Sequence, residues 1–134
     1  MIAVALPETA SPETDRRLAR GAAALLAFGL DLAPEVFFRA TRGGAAESEA
    51  RQLLLAVLRR ALGEKVSIAR LASALGRDRT TAAHALHKIE ALAEEEPGLD
   101  AFLDAYAALT RELVRISGFT RAELDARAKE GGRR

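Results

Sequence analysis

Hydrophobic residues recur at three- and four-residue spacing through most of this chain, the period of an amphipathic helix. Leu18, Ala22, Leu25, Leu26 and Gly29 share one side of a first helix, with Thr14 or Asp15 as its cap. Gly29-Leu30-Asp31-Leu32 interrupts that pattern. Pro34 suits the first position of a short helix to Ala40 that offers Val36, Phe37 and Phe38; the paired phenylalanines read as core anchors, with a partner-binding patch as the alternative. Beyond the loop at Gly43-Gly44, Glu47 to Leu62 is predicted to be the longest helix. Its broad apolar face carries Leu53, Leu54, Val57, Leu58 and Leu62. Arg59 and Arg60 fall near its C-terminal end, where the helix dipole favours cations, and Gly63 stops it.

The stretch from Ser67 to Leu92 has a different layout: two helices joined by a tight turn. Ser67 is placed to N-cap the first, and Ile68, Leu71, Ala72 and Leu75 form its buried stripe. Gly76 ends it at a position suited to the left-handed conformation. Asp78 then caps a second helix, 78–92, buried along Ala82, Ala85, Leu86, Ile89 and Leu92. Arg79, Thr80, Ala83, His87 and Lys88 are left outward, with Thr81 and His84 at the boundary.

After an acidic run, Glu94-Glu95-Glu96, the pair Pro97-Gly98 is a strong break. Asp100 to Ile116 is amphipathic through Phe102, Leu103, Tyr106, Leu109, Leu113 and Ile116, and Ser117-Gly118 is expected to end it. Thr120-Arg121-Ala122-Glu123 has the form of a capping box opening a short last helix with Leu124 and Ala128. The expected organisation is a flexible arm (1–13), a helical domain (14–116) containing the helix-turn-helix (67–92), and a short helix with a tail (117–134). Ala and Leu dominate the hydrophobic residues, and no β-branched stretch alternates as a strand does, so the fold class is all-α, a helical bundle.

The chain has no cysteine, which excludes disulfides and thiolate metal sites. The opening MIAVALPETA lacks the basic flank and long apolar run of a signal peptide, and no segment reaches the roughly 20 apolar residues of a membrane span. A cytoplasmic, nucleoid-associated protein without a membrane partner is expected. His84 and His87 lack a third ligand at matching spacing, and the glycine pairs lack the Lys and Ser or Thr of a phosphate loop. Neither catalysis nor a metal or other cofactor is expected.

The net charge is only +1, but it is unevenly distributed. Eight basic residues against three acidic ones give +5 over residues 51–90, whereas 1–50 and 91–134 each come to −2. A basic segment centred on a helix-turn-helix is the footprint of a nucleic-acid face. The major groove admits one α-helix, arginine forks onto guanine, and threonine offers a hydroxyl and a methyl. A helix N-terminus also favours phosphate. A plain αα-hairpin in an all-α domain is the other reading of the spacing.

The segment GRDRTTAAHALHKIE resembles the signature of the C-terminal DNA-binding domain of the bacterial replication initiator DnaA. Gly76, Arg77, Asp78, Thr80, Thr81, His84, Ala85, Lys88, Ile89 and Glu90 match in order, with Arg79 where the initiators usually carry His. Arg51-Gln52 resembles the Arg-Gln pair that opens the family's preceding long helix. The likeness runs from about Glu49 to Ile116. The turn is one glycine shorter than in many initiators, and nothing upstream resembles a nucleotide-binding domain, so a stand-alone binding protein is expected.

The resemblance implies that Arg51 enters the minor groove, with Gln52 beside it. It implies that Asp78, Arg79, Thr80 and Thr81 make major-groove and phosphate contacts. Arg77, His84 and Lys88 become backbone contacts or their supports. The implied function is sequence-selective binding of double-stranded DNA in transcription, as in the activators of gene-transfer-agent clusters. Because one module binds weakly, a second protein or self-association is expected. Two alternatives are replication control at initiator-type sites and a protein-interaction module that has lost DNA binding.

Overall fold

The computed structural model describes residues 12–39, 44–63 and 66–131. Five helices run α1 (Pro12–Leu30), α2 (Ala45–Leu62), α3 (Ile68–Ala74), α4 (Arg79–Glu95) and α5 (Pro97–Gly131), with a 3-10 helix, Pro34–Phe38, between α1 and α2. No strand occurs among the described residues, so the fold is an all-α bundle. No described helix is long and apolar enough to cross a membrane.

Helix α2 is the axis. From Leu53 to Leu58 every residue is buried, and the helix packs against α1, α3, α4 and α5. A stretch that is apolar on all sides, as Leu53 to Leu58 is, belongs at the centre of a bundle, because each face removes hydrocarbon from water. Leu54 and Leu58 of α2 are fully buried, as are Leu26, Phe37, Ile89 and Leu103 of the elements around it, all in one core cluster. The paired phenylalanines divide: Phe37 is core, whereas Phe38 is 38% exposed.

Glycine brings α1 and α5 together. A Cβ at Gly29 would lie 1.7 Å from the Tyr106 hydroxyl oxygen, and one at Gly21 would lie 2.8 Å from Leu113 Cδ2. Residue number rises along α1 as it falls along α5, so the two helices are antiparallel. Gly29 therefore belongs inside α1 as a site of close approach, and the chain breaks two residues later, at Asp31 (φ 56°).

Several expected boundaries move. Helix α1 begins at Pro12, inside the segment expected to be an arm; proline is well suited to the first helical turn. Asp15 is therefore not a cap, and its carboxylate holds Arg70 instead. Ser117-Gly118 does not end a helix, because α5 runs on through it to Gly131; at 35 residues it is longer than α2, with 18. Glycine within a helix costs only about 1 kcal/mol against alanine, and the Ala-, Glu- and Arg-rich sequence that follows favours helix. No separate helix starts at Thr120. The arm residues 1–11, Ala40, Gly43, Lys65, the tail residues 132–134 and the side chains of Phe119 and Leu124 lie outside the described residues.

Candidate nucleic-acid interface

The turn between α3 and α4 is built by the residues expected to build it. Ser67 Oγ accepts a hydrogen bond from the Arg70 amide (3.1 Å). Gly76 has φ +63°, where a side chain would be strained. Asp78 Oδ2 accepts from the amides of Thr80 (3.1 Å) and Thr81 (3.3 Å). That cap changes one expectation. Two of the amides that make a helix N-terminus attractive to phosphate are already occupied, by a carboxylate of the same sign as phosphate.

Helix α4 buries Ala82, Ala85, Ile89 and Ala93, with Leu86 and Leu92 half-buried. Arg79, Thr80, Thr81, His84, His87 and Lys88 are exposed. From Arg79 to Lys88 the outward stripe is about 13 Å long at 1.5 Å per residue. The small side chains at 82, 83 and 85 keep the helix close to the bundle.

An open concavity of about 620 Å³ lies between the first half of α2, the 3-10 helix and α4. Arg51, Gln52, Arg77, Thr81, His84 and Lys88 line it, so the fold gathers six of the nine predicted site residues around one hollow. Asp78, Arg79 and Thr80 stand at the tip of α4 and do not line it. Ser48 lines the hollow too, and sequence reasoning missed it. A lone serine in the first turn of a helix carries no signal of its own.

Arg51 departs from expectation. It is 9% exposed, and Nη1 donates to the carbonyls of Val36 (3.4 Å) and Arg39 (3.5 Å). It ties α2 to the 3-10 helix rather than projecting beside it. Arg77 Nη2 donates to the same Arg39 carbonyl at 2.7 Å. Two guanidiniums therefore converge on one backbone oxygen. Burial, and then the neighbouring Arg51 charge, hold the Arg77 guanidinium below its usual pKa. The Gln52 Oε1 atom is buried and accepts no hydrogen bond from any described group.

The +5 of residues 51–90 is partly consumed inside the bundle. Arg60 pairs with Glu90 (2.8 Å), Asp100 (2.9 Å) and Asp104 (2.9 Å), joining α2 to α4 and α5. The Glu90 hydrogen bond is the main cause that raises its pKa above the usual value. Arg70 makes a two-pronged bridge to Asp15 (2.6 and 2.7 Å), and Arg59 Nη1 donates to the Val66 carbonyl (2.6 Å). Among the described cations of this segment, Arg51, Arg77 and Lys88 line the hollow, and Arg79, the first residue of α4, is exposed outside it.

Among the described residues no three His, Cys, Asp or Glu side chains are placed to hold a metal ion. Compared with models of known families, with curated proteins and with solved structures, the chain finds no match in any of the three.

Proposed function

We propose that this chain binds double-stranded DNA selectively and regulates transcription, with α4 entering the major groove by its N-terminal end. The observation that carries this reading is the exposed tip of α4, Arg79-Thr80-Thr81, beside a hollow walled by Arg51, Arg77 and Lys88. Arginine and threonine are side chains able to read base edges. The resemblance of GRDRTTAAHALHKIE to the DnaA signature supports the same reading. Asp78 holds the first turn rigid, and Arg77, Thr81, His84 and Lys88 meet the phosphate backbone.

Arg51 serves from a recessed position. To enter a minor groove, its guanidinium must exchange the Val36 and Arg39 carbonyls for the duplex.

One helix-turn-helix buries only about 600–1,000 Å² on DNA, so strong binding needs a second copy or a helper protein. Fluorescence anisotropy with a labelled duplex, titrated with salt, tests the proposal. Arg77 and Lys88 on phosphates give a log–log slope of at least about 1.8 in magnitude. Absence of binding at low ionic strength contradicts it. Chromatin immunoprecipitation distinguishes the role: occupancy of promoters fits transcription, and occupancy confined to the replication origin fits replication control.

A further inference from the structure

We propose that the DNA-contacting face continues past the helix-turn-helix onto α1 and the 3-10 helix, where Arg16, Arg20 and Arg39 take phosphates flanking the sequence that α4 reads. This extension rests on the DNA-binding reading above.

A second open concavity, of about 500 Å³, is lined by Arg16, Arg20 and Arg39 together with Glu35, Phe38 and Ala74. Arg16 and Arg20 are one helical turn apart and both exposed. Arg39 keeps 51% of its side chain exposed; Glu47 reaches it at 3.4 Å, the weak end of an ion pair. Glu35 is the one carboxylate among the lining residues, so positive charge is in excess there.

The two hollows are adjacent. Ala74 lines the second, and the next residue, Leu75, lines the first. Arg39 lines the second, while its carbonyl accepts from Arg77, which lines the first. The C-terminal end of α3 is therefore the partition between them. In a helix-turn-helix the first helix crosses the DNA backbone. A strand crossing α3 here has Arg77 on one side and the α1 arginines on the other.

The α1 arginines are also held in place. Asp15, one residue before Arg16, is bridged by both its oxygens to Arg70 of α3, and its side chain is 12% exposed. That bridge fixes α1 against the first helix of the turn, and it removes the neighbouring carboxylate from the charge that an incoming phosphate meets. The net −2 of residues 1–50 conceals this patch, because charge counted along the sequence ignores where each group points.

The test compares wild type with Arg16→Gln/Arg20→Gln by fluorescence anisotropy on a random-sequence 24-base-pair duplex across a salt series. Arg79→Gln reports on the α4 site, and Arg115→Gln, at an exposed position of α5, controls for lost charge. Circular dichroism verifies that each variant is folded. The double variant should flatten the log–log slope by about 1.8, two phosphates at 0.9 each, while base preference in a selection experiment stays unchanged. Arg115→Gln should leave the slope within error. If wild type binds and Arg79→Gln weakens it, but the double variant matches wild type, the extension is wrong and the α4 site stands. An equal effect of Arg115→Gln also overturns the extension, as general charge. If wild type ignores the duplex at low salt, the DNA-binding reading falls, and the extension with it.

Discussion

Replacing Asp78 tests the tip of α4 from two directions. Its carboxylate caps two amides, at 3.1 and 3.3 Å, and also places a negative charge where a duplex is proposed to dock. Asp78→Ala removes both properties. Asp78→Asn keeps an oxygen acceptor and removes only the charge. Loss of an N-cap costs about 1 kcal/mol (0.5–2), whereas Asn caps about as well as Asp. For a chain of this size 1 kcal/mol lowers Tm by about 3–5 °C. The Ala variant should therefore melt a few degrees lower, and the Asn variant should stay within about 2 °C of wild type, the difference being the charge–dipole contribution. Binding should separate differently. A phosphate about 7 Å from the carboxylate is repelled by about 0.6 kcal/mol at the dielectric of water, close to threefold in affinity. Asp78→Asn should therefore bind a random-sequence duplex about threefold more tightly, and Asp78→Ala, which also loses the cap that holds the tip, should gain less. Thermal melting by circular dichroism reads the first effect, and fluorescence anisotropy at low salt reads the second. An unchanged Tm in Asp78→Ala refutes the cap. Unchanged affinity in Asp78→Asn refutes a docking mode that brings this tip to the backbone.

Arg79→Ala should relax base preference and cost about 1–3 kcal/mol on the selected sequence; an identical preference in a selection experiment removes Arg79 from base readout. Ile89, 1% exposed, should cost about 2–5 kcal/mol on truncation to Ala, and half-buried Leu86 distinctly less; equal losses in denaturant melts contradict the packing described for α4. Arg60→Ala should cost about 1–2 kcal/mol, more than an exposed ion pair, because one partly buried guanidinium serves three carboxylates. That loss should shrink as salt is added, and a loss independent of salt assigns it to packing of the arginine stem.

Local signals carried most of the helix-turn-helix. Ser67, Gly76 and Asp78 act within three residues of themselves, and the alanine stripe of α4 repeats at the helical period, so both are written in short stretches. Ser117-Gly118 misled for the same reason: a glycine near the end of an apolar stripe looks like a stop, yet nothing local states whether the next turn is worth forming. Long-range pairings left no trace. Asp15 and Arg70 are 55 residues apart, and Arg60 meets Glu90 across 30. A charge count over residues 51–90 therefore overstated the cations at the candidate face. The recessed seat of Arg51 depends on backbone carbonyls of the 3-10 helix, which no side-chain pattern marks. Gly29 stands beside a true break, but its reason for being glycine is Tyr106, on a helix that begins far later in the chain.

The most direct measurement of the central claim is amide chemical-shift mapping by NMR, adding a short duplex to labelled protein at low salt. Signals of Arg77, Arg79, Thr80, Thr81, His84 and Lys88 should move together and saturate. Shifts confined to the far end of α4 and to α5, or none at all, would contradict it.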